Sequence, residues 1–209
     1  MLVDSEVLSA SVLTALMAEV GMPITPEVFR NDFLGRSFAS ASARAAERFG
    51  KSLPADFNAT YRARLLNKMA GNLKAMPGVE MVLSALNVPF CLATSSSPQR
   101  LAVSMAESKL APWFAGRSFT ASEVQNGKPA PDLFLHAAKS MAQMPEHTLV
   151  IEDSDIGLRA ALAADMEVWH FRGGGHLKGQ IVEMETTPQR VLDSMAALRD
   201  AFRDIGIAA

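Results

Sequence analysis

Along the first third of the chain, apolar residues recur at three- and four-residue spacing. Leu8, Leu13, Leu16, Met17 and Val20 mark a helix over about 7–20, which Gly21 and Pro23 end. Pro26 opens a short helix to about Leu34, and Ser37 can cap another that reaches Phe49. Pro54 opens a third, with Phe57, Tyr61, Leu65 and Met69 on one face. No strand pattern precedes residue 88, so residues 8–75 read as a helical domain closed by Met76-Pro77-Gly78.

From there the pattern alternates between helix and strand. A helix over 78–86 leads to the apolar run Pro89-Phe-Cys-Leu-Ala93, and the spacing of Leu101, Met105 and Leu110 gives the next helix. Leu133, Phe134, Ala137 and Met141 mark another, and Thr148 to Ile151 is apolar on both faces, as in an interior strand of a parallel sheet. An Ala-rich helix over 156–165 follows, with Ser154 or Asp155 able to cap it, then a strand over 166–171. The Gly-rich loop 173–179 reads as a flexible connection near a site mouth, and a terminal helix carries Val191, Met195 and Leu198. Such alternation predicts an α/β domain with a parallel sheet over 76–209, residues 1–7 being a short lead into the helical block.

Polar residues interrupt these runs at three strand exits or loops. Thr94 and Ser95 stand where Pro89–Ala93 ends, and Ser97 with Pro98 starts a helix there. Free backbone N–H groups at a helix start suit a phosphate, although an ordinary Ser-rich cap has the same composition. Lys128, in Asn126-Gly-Lys-Pro-Ala-Pro-Asp132, is held on a loop stiffened by Pro129 and Pro131, either as a placed charge or as part of a surface turn. Glu152 and Asp153 end the apolar run 148–151, at the sheet edge where α/β ligands bind. Two oxygen donors suit Mg²⁺, and acids in the first turn of a helix also suit its dipole. His176 could touch substrate, although a solvated loop histidine is the commoner case, and His170 at a strand end reads as packed rather than catalytic.

Composition narrows the partners. The chain has 209 residues, 49% of them hydrophobic, and a formal net charge of −2 with both signs interspersed. That balance shows no nucleic-acid footprint and no polybasic membrane patch, so the expected partner is a small molecule. No apolar run approaches the length of about 18 residues that a membrane span needs. Cys91 is the only cysteine, which excludes an internal disulfide and suits a reducing cytoplasm. Oligomeric state is not legible.

Four segments, LVDSE at 2–6, LATSSS at 92–97, GKPAPD at 127–132 and VIEDSDIG at 150–157, occur in an order and spacing that resembles the haloacid dehalogenase (HAD) superfamily. The similarity is to the branch with a helical cap that includes β-phosphoglucomutase and 6-phosphogluconate phosphatase. It implies a Rossmann-like core with a parallel sheet over 76–209, residues 1–7 as a remnant of that core's first segment, an inserted α-helical cap over 8–75, and a Mg²⁺-dependent phosphatase acting on a small phosphorylated metabolite. In such enzymes Thr94 and the Ser95 amide would hold the phosphoryl group, Lys128 would steady nucleophile and phosphate, and Glu152 and Asp153 would hold the metal. Gly35, Arg36 and Ser37 would reach from the cap toward substrate. Ser9 and Phe38 stand where the mutases carry a histidine and an arginine, which favours a phosphatase.

The resemblance also exposes a departure. Relatives begin with an apolar strand ending in Asp-x-Asp-Gly, whose first Asp attacks phosphorus and whose second moves the proton. Here Met1-Leu2-Val3-Asp4 stands where that motif would end. The expectation is therefore a chain without turnover, explained by a start placed too late, a deliberately shortened chain, or a real loss filled by another segment or subunit. The alternative from another class is a catalytically dead domain that binds a phosphorylated ligand or partner.

Overall fold

The structure is a computed structural model that describes residues 1–34, 38–177 and 186–209. Helix α1 (Ser5–Glu19) buries Val12, Leu13, Leu16 and Met17, and Gly21 takes the left-handed conformation (φ 69°) that ends it. The short α2 (Pro26–Val28), capped by Thr25, runs into a π-turn over Phe29–Phe33; α3 (Phe38–Phe49) and α4 (Phe57–Met69) follow. Leu13, Leu16 and Met17 meet Met22, Ile24, Phe29, Phe33, Ala45 and Phe57 in one core, while Val12 joins Leu65, Met69 and Leu73 in a second. Ser9 and Tyr61 tie α1 to α4 through a 2.7 Å hydrogen bond.

Helix α5 (Val79–Ala85) leads to β1 (Leu92–Thr94), and α6 (Pro98–Glu107) to β2 (Ser118–Thr120). Helix α7 (Asp132–Ser140), β3 (Leu149–Glu152), α8 (Asp155–Ala163), β4 (Glu167–Phe171), β5 (Arg190–Leu192) and α9 (Met195–Asp204) complete the order. Among the described residues the strands pair in parallel, β1 with β2 and β3 with β4 with β5, and two isolated bridges, Val3 with Ala75 and Leu86 with Ala208, are antiparallel. Val79, Val82 and Leu83 of α5 pack with Met195, Leu198 and Phe202 of α9 on one face, while Phe134, Ala138 and Leu158 of α7 and α8 cover the other.

Three expectations need correction. The strand in 89–93 starts later, at Leu92, where the backbone N–H first meets the segment leading into β2, at Arg117 O. Ser118–Thr120 is a strand too short to announce itself by periodicity, and Leu92 N–H bonds to Arg117 O to align it. Val191 belongs to β5 rather than to the terminal helix, whose cap is Ser194. Among the described residues, no helix is long and apolar enough to cross a membrane.

Candidate active site

The acidic turn after β3 is built around Glu152. Ser154 caps α8 by accepting the Gly157 N–H at 3.2 Å, which turns the backbone amides of 153 and 154 inward. Glu152 Oε2 accepts from Asp153 N at 2.9 Å, Ser154 N at 3.2 Å and Ser154 Oγ at 3.0 Å. Its Oε1 takes the Lys128 ammonium, and both side chains are almost wholly buried, 6% and 10% exposed. The Lys128 ammonium also lies 4.6 Å from the centre of the Phe134 ring. A Cβ at position 157 would sit 2.2 Å from the Glu152 carboxyl carbon, so only glycine lets α8 start this close. Glu152 thus serves as the lysine's counter-ion, with Oε1 on the ammonium and Oε2 on the turn's donors.

Asp153 is differently placed. Its Oδ2 lies 2.8 Å from the Met1 ammonium and 3.9 Å from His176 Nε2. Burial would raise its pKa, but the Met1 ammonium and His176 outweigh burial and hold it at about 2. Burial would likewise lower the ammonium's pKa, and Asp153 instead raises it. His176, expected in solvent, is only 7% exposed, because the Gly-rich turn folds inward; Gly175 packs on the Asp4 carboxylate, where a Cβ would meet Oδ2 at 2.3 Å. His170 is packed as expected, 3% exposed, with burial and then Arg172 lowering its pKa.

The exit of β1 is open by contrast. Thr94 Oγ1 accepts the Ser96 N–H at 3.1 Å, which leaves the hydroxyl proton to donate elsewhere. Ser97 caps α6, accepting from Arg100 N at 3.3 Å. Thr94, Ser95, Lys128, Glu152 and Asp153 all line one cavity of about 830 Å³. Its walls extend to Phe29, Phe33, Phe38 and Phe57 of the helical block. Arg100 was not singled out by sequence: from the first turn of α6 it donates to Ser5 Oγ (3.1 Å) and Glu6 Oε1 (2.8 Å), tying α6 to the start of α1. No motif marks such a residue. Gly35, Arg36 and Ser37 lie outside the described residues.

The haloacid dehalogenase-like hydrolase model matches residues 11–165, most of the chain. The chain belongs to this family. It is similar to the 6-phosphogluconate phosphatase of Escherichia coli (strain K12), 28% identical over 187 residues, which cover 89% of this chain and 85% of that protein. A solved haloacid dehalogenase-like protein of unknown function from Agrobacterium tumefaciens str. C58 superposes with a TM-score of 0.82 at 28% identity, covering 98% of this chain and 94% of that one. A HAD family hydrolase from Deinococcus radiodurans R1, solved with bound phosphate and sodium, does so with a TM-score of 0.76 at 29% identity, covering 100% and 93%.

Proposed function

We propose that the cavity is the substrate site of a phosphatase for small phosphomonoesters of the sugar-phosphate type. By family the chain is a phosphoric monoester hydrolase. The observation that carries the finer reading is the buried Lys128–Glu152 pair, which fixes an ammonium at a strand end beside Asp153 and on the same cavity as Thr94. An ammonium held by a buried carboxylate stays in place, so it presents positive potential to phosphoryl oxygens. Thr94 Oγ1, with its lone pair committed to the Ser96 N–H, donates its proton to one of them. The Deinococcus neighbour's phosphate supports an anion site on this fold. The helical block 8–75 would act as the cap, its Phe side chains shielding the cavity.

Mg²⁺ is the cation we assign to this reaction, where it would neutralise developing charge on the phosphoryl group. Asp153 fits as one oxygen ligand, being a buried carboxylate already ionised and holding a cationic group. Glu152 would be the second oxygen donor, since Oε1 holds only the Lys128 ammonium and keeps a lone pair beside it. Among the described residues, no three His, Cys, Asp or Glu side chains gather as a metal site.

A covalent aspartyl phosphate needs an attacking carboxylate next to Thr94, and none of the acids described above takes that place. The 209-residue chain should therefore bind phosphate without turning over ester. Ser9 offers no mutase chemistry, because it is 4% exposed and its hydroxyl is paired with Tyr61. The chain's lone Cys91 agrees with a cytoplasmic setting. The test measures inorganic phosphate binding and Mg²⁺-dependent p-nitrophenyl phosphate turnover together. Phosphate binding lost in Thr94→Val, with no turnover, is the expected result. Turnover that disappears in Asp153→Asn would refute the claim of inactivity, and phosphate affinity indifferent to Thr94 would sink the site.

A further inference from the structure

The side of α4 that fronts the cavity changes character along its length. Asn58, Tyr61, Arg62 and Leu65 recur at three- and four-residue spacing, so they share one side of the helix, and all four line the cavity. Leu65 is buried in the core with Val12, Met69 and Leu73, which makes that end of the wall apolar. The polar end is the first two turns of α4. Ser9 of α1 stands against it, bonded to Tyr61. Burial pushes the Tyr61 hydroxyl pKa up, and the charge of Arg100 works against that rise, so the α6 guanidinium is at the same corner.

Most polar groups at this corner are spent on one another. Ser5 Oγ and Glu6 Oε1 accept from Arg100, and Ser9 Oγ pairs with Tyr61. Of the lysines and arginines that line the cavity, Lys128 has Glu152 and Arg100 has Glu6. Arg62 is exposed and has neither an acid nor a hydrogen-bond acceptor among the described residues. One turn earlier on the same side, Asn58 Oδ1 is buried without a hydrogen-bond partner, and so is Arg100 Nε. The corner therefore holds unspent donors on two guanidinium groups against one unspent acceptor.

That balance selects a ligand. A free guanidinium is a planar fork that matches a carboxylate. Asn58 Oδ1 only accepts, so its partner brings a proton, as a hydroxyl does and an ionised carboxylate or phosphate does not. A neutral polyol would serve Asn58 and leave the Arg62 charge unmatched. A second phosphoryl group would bring a charge of about −1.5 to −2 to a corner with one unpaired cation. We propose that Asn58 and Arg62 recognise the far end of the substrate, and that this end is a carboxylate with a hydroxyl beside it. The phosphoryl group then lies at Thr94 and Lys128 and the carboxylate at Arg62. Such recognition rests on the phosphatase reading and narrows its sugar phosphate to a phosphorylated sugar acid.

Two ligands differ only at that end: sorbitol 6-phosphate has a primary alcohol where 6-phosphogluconate has a carboxylate. In calorimetric titrations of the 209-residue chain the acid should bind roughly tenfold more tightly. Arg62→Gln exchanges one good helix former for another at an exposed position, so the fold should be unaffected. It should erase the difference and leave the affinities for inorganic phosphate and sorbitol 6-phosphate as they were. Asn58→Ala should weaken both sugar ligands alike, because both carry the neighbouring hydroxyl. Equal affinity for the two ligands, a difference that survives Arg62→Gln, or tighter binding of fructose 1,6-bisphosphate than of the acid would overturn the proposal. Gluconate, which has no phosphate, separates the two readings. It should shift the Asn58 side-chain amide signals in NMR titrations of the parent chain and not of Arg62→Gln. Gluconate shifts without any phosphate binding would sink the phosphatase reading and keep the acid subsite, whereas phosphate binding with no response to gluconate would do the reverse.

Discussion

The turn after β3 and the turn after β1 face one cavity, yet they are built in opposite ways. Around Glu152 three donors meet one carboxylate oxygen, the lysine takes the other, and Gly157 admits the helix that supplies the donors. Around Thr94 one bond is made and the remaining hydrogen-bonding capacity faces the cavity. A closed network fixes a charge, and an open exit keeps donors available for a ligand. The contrast predicts that changes at the first turn appear as lost stability, while those at the second appear as lost affinity.

The largest effect should follow from Lys128→Met. It leaves the Glu152 carboxylate buried and unpaired, which costs on the order of 3–5 kcal/mol. In a chain of this size the melting temperature should drop by roughly 10 °C. The double variant with Glu152→Gln should recover much of that loss, because the uncompensated charge is gone. A drop of only a degree or two would show that the pair is solvated and the turn not closed. Next comes Gly157→Ala, whose new methyl overlaps the Glu152 carboxyl group. Moving either α8 or the carboxylate should cost about 2–3 kcal/mol, read by denaturant unfolding.

Much of this turn was legible from residue order. The apolar run 148–151 ending in two acids placed both carboxylates at the end of β3, and Ser154 was a recognisable cap. What spacing could not show is that the neighbouring carboxylates divide the work, Glu152 holding Lys128 and Asp153 holding the Met1 ammonium. Both partners arrive from distant parts of the chain, and no local pattern encodes that meeting. The same reason hid Arg100 and the inward turn of His176. The break between the β1–β2 and β3–β4–β5 ladders showed in sequence only through a family resemblance, since each strand's own alternation looks complete.

A smaller effect separates the two acids by pH in the metal-free protein. Asp153 has a folded pKa near 2, below its ordinary 3.8, so it contributes stability above about pH 4 that is lost as pH falls toward 2. The amount is about 2 kcal/mol. The Met1 ammonium, with its pKa raised above 8.0, acts on the other side: its contribution is complete below pH 8 and fades as pH rises further. These two groups leave stability flat between their limits, the buried His170 with its lowered pKa adds a fall as pH drops below about 6.5, and Asp153→Asn should flatten only the acid limb. An acid limb unchanged in that variant would place the titration elsewhere.

The smallest stability effect is expected at Thr94→Val, and it tests the open exit most directly. The substitution keeps the shape of the side chain and removes an acceptor for one half-buried N–H, that of Ser96, which should cost about 1 kcal/mol or less. Affinity should respond more strongly, because the same hydroxyl is the donor aimed at the phosphoryl oxygen. A charge-assisted hydrogen bond contributes about 1.5–3 kcal/mol, so inorganic phosphate should bind at least roughly tenfold more weakly. Calorimetric titration beside a melting curve reads both quantities on one sample. A large loss of stability with unchanged phosphate affinity would mean that the hydroxyl is structural and that the two turns are alike after all.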